Sequence, residues 1–105
     1  MSLYNVVNVY VILFLLLTQS TAQDHMILPK KGLVPDEKTA ITIAVAIWIP
    51  IFGEKQIASQ KPYVAILKNG KWIVTGTLSQ GMRGGTATAI ISQMDGRVTQ
   101  IGHSK

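Results

Sequence analysis

The sequence predicts an α+β fold: an N-terminal helix and a short second helix packed on a four-stranded antiparallel meander sheet. Three observations lead to this prediction. An Asn69-Gly70 pair separates two apolar segments of strand length, and an Asp95-Gly96 pair separates two more. Upstream of both pairs, a mostly apolar stretch of 14 residues begins at Asp36 and stops before Pro50.

The stretch from Asp36 to Ile49 is compatible with two secondary structures. As a helix it would be capped by Asp36, favoured at its first turn by Glu37 and ended by Pro50. As a strand it would be buried on both sides, because β-branched residues occupy every second position from 41 to 49. The length, the Asp cap and the alanines favour the helix. Its shared face would then consist of Ala40, Ile41, Ala44, Ile47 and Trp48.

The remaining elements follow from local signals. Residues 50–59 predict a second short helix with Pro50 in its first turn. Strands are predicted at residues 63–67, 72–78, 86–93 and 97–102. Asn69-Gly70 supplies the two positive φ angles of a tight hairpin turn, and Asp95-Gly96 predicts a second tight turn. The glycine-rich loop from Ser79 to Gly85 needs positive φ angles and exposes Arg83 at its tip.

Composition limits what the chain can be. The 105 residues allow one domain, and the absence of cysteine excludes a disulfide framework. Ten basic and five acidic residues give a net charge of +5. The basic residues are scattered, without the clustered charge and interleaved aromatics of nucleic-acid binding proteins, so we expect no nucleic-acid partner.

The first 22 residues are interpreted as a signal peptide. Residues 6–17 form an apolar run too short to span a bilayer, and Ser20 and Ala22 are the small residues that signal peptidase accepts. Cleavage after Ala22 predicts a periplasmic or secreted protein without stable membrane insertion, although an uncleaved membrane anchor is the alternative. Residues 23–34 would form a flexible leader, anchored by Leu28 and Leu33, before a domain at 35–105.

Residues that could carry chemistry are few. His25 and His103 lie near the two ends of the mature chain, and only one acidic residue is close to either of them. Glu54 is the one acidic residue without a structural explanation, and a lone Glu is usually on the surface. The sequence therefore predicts no catalytic, metal-binding or cofactor-binding residues and a protein that is not an enzyme.

Three segments carry a resemblance to a known family: DEKTAITIAVAIWIPIFGEKQI, KPYVAILKNGKWIVTGTL and GMRGGTATAIISQMDGRV. In this order they are similar to the YbbC/YhhH family of small immunity proteins of bacterial polymorphic toxin systems. The likeness spans residues 34–105. It implies a nuclear-transport-factor-two-like fold, a helix at Asp36–Ile49, no catalytic residues, and a protein that binds one cognate toxin and blocks it.

The charge of the domain suggests what kind of toxin this would be. Toxins that attack nucleic acid tend to be basic, so their inhibitors should be acidic. A basic, exported inhibitor favours instead a toxin that acts in the envelope and has an acidic surface. The candidate partner-binding residues combine apolar positions on the outer helix face with exposed cations: Val45, Ile49, Lys68, Lys71 and Arg83.

Three alternatives remain at this stage. Val45 and Ile49 would be core residues if a later segment covers them. The protein would be a small envelope binding module, similar to a peptidase propeptide, if it regulates or inhibits a hydrolase. It would be an enzyme only if an acidic residue such as Glu54, or a histidine, lay inside the cavity that this kind of fold often offers.

Overall fold

The computed structural model describes residues 27–104. The predicted signal peptide, its cleavage site and the first part of the leader lie outside the described residues. Two helices and four strands follow one another within the described range: α1 (Glu37–Phe52), α2 (Glu54–Ala58), β1 (Val64–Lys68), β2 (Lys71–Thr75), β3 (Ala87–Ser92) and β4 (Val98–His103). The predicted α+β class is confirmed. In this range no helix has both the length and the apolar character needed to cross a bilayer.

Helix α1 begins where the sequence predicts but ends later. The Asp36 carboxylate accepts hydrogen bonds from the N–H and the hydroxyl of Thr39, each at 2.7 Å, and so caps the helix. The prediction that Pro50 ends the helix is wrong, because the helix continues through Pro50 to Phe52. The helix ends where Gly53, at a φ of 94°, donates its N–H to the Ile49 carbonyl at 2.9 Å. The second helix therefore starts at Glu54.

The four strands form an antiparallel meander in the order β1-β2-β3-β4. Positive φ angles at Asn69 (51°) and Gly70 (75°) confirm the predicted tight turn between β1 and β2. Strand β2 ends at Thr75, earlier than predicted, because Thr77 turns towards the segment after α2. The Thr77 N–H donates to the Gln60 carbonyl at 2.7 Å, and its hydroxyl donates to the Pro62 carbonyl at 2.6 Å.

The connection from β3 to β4 is longer than the two-residue turn predicted at Asp95-Gly96. Residues 93–96 lie outside the ladder, which closes where the Ser92 N–H donates to the Arg97 carbonyl at 2.8 Å. Within the connection, the Asp95 carboxylate accepts the Arg97 N–H at 3.0 Å. The two-residue turn is therefore a wrong prediction. The reason is that the carbonyls of residues 93 and 94 bind another segment of the chain.

That segment is the end of the predicted leader. The N–H groups of Leu33 and Val34 donate to the carbonyls of Met94 and Gln93, each at 3.0 Å. Val34 is only 1% exposed, whereas Leu33 and Leu28, the predicted anchors, are 50% and 56% exposed. The packed domain therefore starts before residue 35, and Val34 is the residue that anchors this segment.

The core lies between α1 and one face of the sheet. Ala40 and Ala44 are fully buried on the helix, and their small side chains let α1 approach the strands closely. Two buried indoles span this layer: Trp48 Nε1 donates to the Thr88 carbonyl at 3.0 Å, and Trp72 Nε1 donates to the Val34 carbonyl at 2.8 Å. The sheet side of the core consists of Ala65, Trp72, Val74, Ala87, Ala89 and Ile91.

Two hydrogen-bonded carboxylates, one at a helix N-cap and one in a turn, are expected to make folding stability depend on pH in the acidic range. Hydrogen bonds from the Thr39 hydroxyl and N–H lower the pKa of Asp36, and the Arg97 N–H lowers the pKa of Asp95. In the unfolded chain both carboxyl groups have the ordinary pKa of about 3.9. Because their folded-state pKa values are lower, they stabilise the fold fully above about pH 4. This stabilisation is lost as the pH falls through the folded-state values.

We therefore expect the melting temperature to fall as the pH is lowered from about 4 towards 2. The D36N/D95N double variant retains polar side chains at both positions but cannot titrate there, so its melting temperature should depend less on pH. Thermal melts between pH 6 and pH 2 measure both slopes. Equal slopes for the two proteins would contradict the assignment.

Candidate partner-binding surfaces

The five candidate contact residues lie in three separate places. Lys68 and Lys71 flank the β1–β2 turn and are direct cross-strand partners. Arg83 lies on the β2–β3 loop at the other end of the sheet, about 17 Å away along five strand residues. Val45 and Ile49 belong to α1, which covers one face of the sheet. The structure therefore does not bring the five residues into one site.

The two helix positions differ from each other. Val45 is half-buried and packs against the core cluster. This agrees with the alternative interpretation of Val45 as a core residue. Ile49 is 36% exposed, and Ile51, which the sequence analysis did not single out, is 57% exposed. The apolar surface of α1 is thus centred closer to its C-terminal end than predicted.

Arg83 lines a cleft of about 390 Å³ between α2, the β2–β3 loop and the end of β4. The loop contributes Met82 beside Arg83, and positive φ angles at Gly81 (81°) and Gly84 (112°) confirm the backbone conformation predicted there. The remaining wall combines the apolar Leu78 with polar side chains that include Gln60 and His103. The cleft is therefore lined by one exposed cation, Arg83, and one exposed methionine, Met82, together with the amide groups of Gln56 and Gln60.

Gln60 is a buried residue of the cleft lining. No pattern in the sequence indicated that it has a structural role. Its side chain is 5% exposed, and its Oε1 accepts the N–H of Ala87 at 2.8 Å. Because Oε1 is engaged, the Gln60 NH₂ is the group that faces His103 Nε2, at 3.5 Å, and the Gln56 NH₂ lies 3.3 Å from the same nitrogen. Both amide groups therefore lie close to the same ring nitrogen of His103.

The side chains that line the cleft carry amide, hydroxyl, guanidinium and imidazole groups beside the apolar Leu78 and Met82. The ring nitrogen that faces the cleft is occupied by two amide groups, and the residues that line the cleft include no carboxylate. Glu54, the acidic residue considered for an enzyme, lies exposed in the first turn of α2 and does not line the cleft. The lining groups are suited to hydrogen bonding.

Gln60→Leu is expected to destabilise the domain by about 1–3 kcal/mol, because the buried Ala87 N–H would lose its acceptor. Gln56→Leu is the matched control, since Gln56 is exposed and its side chain contacts only His103. Urea unfolding of both variants measures the difference. Equal losses in the two variants would show that the Ala87 contact is not what makes Gln60 important.

The face of the sheet turned away from α1 carries a different kind of surface. Because Trp72 and Val74 point into the core, strand alternation directs Lys71 and Ile73 to the opposite face. The register places Ile66, Ile73 and Ile90 side by side across three strands. We define the outer face as this isoleucine row together with Lys68 and Lys71. Sequence alternation separated the two faces without indicating which of them the helix covers.

A family model described as NTF2 fold immunity protein matches residues 39–105, which is more than half of the chain. The chain belongs to this family. The match includes nearly all of α1, together with α2, all four strands of the described range, the cleft and the outer face. The predicted resemblance to NTF2-fold immunity proteins is confirmed. Membership of the family implies, in general terms, that this immunity protein neutralises a toxin and that its partner is a toxin protein. No curated protein and no solved structure gives a significant match to this immunity protein.

Proposed function

We propose that this immunity protein is exported and neutralises one cognate toxin by non-catalytic protein–protein contact. The family match over residues 39–105 is the observation that carries the proposal, because it covers the sheet and both helices. The exposed groups support it. They consist of Ile66 with Lys68 and Lys71 on the outer face, and of Arg83 and Met82 at the cleft. Such groups are suited to binding, and a non-catalytic inhibitor needs nothing more.

The proposal includes the cellular compartment and the kind of toxin. The uncharged first 23 residues and the small residues at 20 and 22 support export after cleavage of a signal peptide. The net charge of +5 supports a toxin with an acidic surface, acting in the envelope, because complementary charge steers association. Membership of the narrower YbbC/YhhH group is part of the same proposal.

A protection assay tests the proposal. We expect the cognate toxin to be encoded beside this chain. Its toxin domain is directed to the periplasm together with either the full chain or a chain lacking residues 2–22. We expect growth to be rescued only by the full chain, and a one-to-one complex to be recovered from the periplasmic fraction. Failure of the full chain to protect or to bind the toxin would overturn the proposal. Inhibition of a housekeeping hydrolase, with no effect on the toxin, would replace it with the regulatory module.

A further inference from the structure

We infer that the outer face of the sheet is the surface on which this immunity protein binds its toxin. The partner surface is then an apolar patch bordered by carboxylates. This inference rests on the proposed function and specifies the interface and its chemistry.

The isoleucine row is a continuous apolar strip. Ile66 pairs with Ile73, and Ile73 pairs with Ile90, so the three side chains are neighbours across the strands. With strands about 4.8 Å apart, the row is about 10 Å wide. Ile66 is 60% exposed, and Val64, two residues away on the same strand, is 44% exposed. Ile73 and Ile90 are half-buried. Single exposed apolar residues are ordinary on a protein surface, whereas a contiguous apolar patch that includes exposed residues favours an interaction site.

The lysine pair borders this strip on one side. Lys68 and Lys71 face each other directly across β1 and β2, and the next residue in the register is Ser92. The Ser92 N–H donates to the Arg97 carbonyl at 2.8 Å, which brings a third cationic residue to this end of the sheet. The lysine pair lies two residues, or about 7 Å, from the isoleucine row.

Folding alone does not account for the lysine pair. Like charges directly opposite each other on neighbouring strands are destabilising. Asp95 is close to this end of the sheet, but its carboxylate accepts the Arg97 N–H at 3.0 Å and stabilises its own turn. A carboxylate supplied by a partner would relieve the repulsion between the lysines, so this repulsion favours an acidic occupant.

The same charges argue against a second copy of this chain as the occupant. Two copies that met through their outer faces would each bring the lysine pair, and each carries a net charge of +5. A toxin surface with carboxylates around an apolar centre matches instead the usual anatomy of an interface, in which an apolar core is enclosed by a polar rim. The partner that fits the outer face is therefore the toxin.

The apolar part is tested with Ile66→Glu, measured against the catalytically inactivated toxin domain encoded beside this chain. Ile51→Glu is the matched control, because Ile51 is 57% exposed but lies on α1, on the other side of the sheet. We expect the Kd to rise at least about tenfold for Ile66→Glu and less than about twofold for Ile51→Glu. Thermal melts of both variants establish that each is folded.

The charged part is tested with two variants that affect folding and binding in opposite directions. Lys68→Glu replaces a like-charge pair by an opposite-charge pair, so the melting temperature should rise while affinity for the toxin falls. The K68E/K71E double variant should raise the Kd at least about tenfold and weaken its salt dependence. The K55E/K61E double variant makes the same change in net charge at exposed positions away from the outer face, and should bind more tightly than K68E/K71E.

Each outcome decides a different question. If the unmodified full chain binds the toxin and the outer-face variants bind as their controls do, the inference is wrong while the proposed function stands. If the unmodified chain does not bind the toxin, both are wrong. If Ile66→Glu and K68E/K71E lose affinity and their controls retain it, the outer face is the interface.

Discussion

Trp48→Ala is expected to remove about 3–5 kcal/mol from the free energy of unfolding. Trp48 is fully buried, and its ring meets Tyr63 edge-on, with the ring centroids 5.9 Å apart. The variant would leave a large cavity between α1 and the sheet and would leave the Thr88 carbonyl without its indole donor. A domain of this size has a total stability of about 4–12 kcal/mol, so the loss is a large fraction of the total.

Trp48→Phe separates the two contributions to this loss. Phenylalanine keeps an aromatic ring in the core but cannot donate to the Thr88 carbonyl, so the expected cost is smaller than for alanine. Urea unfolding followed by circular dichroism gives both values, and the fluorescence of Trp72 reports on the core in each variant. A loss of less than about 1 kcal/mol for Trp48→Ala would mean that α1 is not held on the sheet in the way described.

Gly32→Ala is expected to displace the segment that precedes α1. The added Cβ would collide with the Gln93 carbonyl oxygen and would lie 2.7 Å from the Cα of Met94, and neither backbone atom can move without disturbing the β3–β4 connection. The segment would have to give up the two hydrogen bonds of Leu33 and Val34, and Val34 would leave the core. We expect a loss of at least about 3 kcal/mol, combining backbone strain with lost burial.

Gly81→Ala is the matched control for this prediction. Gly32 and Gly81 have the same φ of 81°, but an added Cβ at Gly81 would meet no atom within 4 Å. Backbone strain alone should therefore cost about 1–2 kcal/mol at Gly81, and the difference between the two variants measures the collision. Chemical denaturation provides both numbers, and hydrogen exchange at the Leu33 and Val34 amides should be accelerated only in Gly32→Ala. Equal losses would contradict the docking of this segment.

The secondary structure was predictable where local chemistry was unambiguous. The Asp36 cap and Asn69-Gly70 are short-range signals, and both act as predicted. The errors at Pro50 and at Asp95-Gly96 have different causes, one local and one that depends on a distant segment. Gly53 ends the helix that Pro50 does not end, and the docked Leu33–Val34 backbone lengthens the connection that Asp95-Gly96 was expected to close.

The candidate binding surfaces were harder to predict from the sequence than the secondary structure. Lys68, Lys71 and Arg83 were predicted to contact a partner, and that remains to be tested. The alignment of Ile66, Ile73 and Ile90 depends on strand register, which a single sequence does not specify. Gln60 was missed because its importance comes from an acceptor role towards Ala87, 27 residues further along the chain. No local pattern marks a contact of that kind.

The position of β1 at the edge of the sheet has a consequence for the protein before it meets any partner. An edge strand with exposed Ile66 and Leu67 is a template on which another chain can add a strand, and this is the usual start of aggregation. Lysines at a strand end oppose such growth, because each added copy would stack like charges. Lys68 and Lys71 are therefore expected to keep the unbound protein soluble, so changes made there to tune affinity should be chosen with solubility in view.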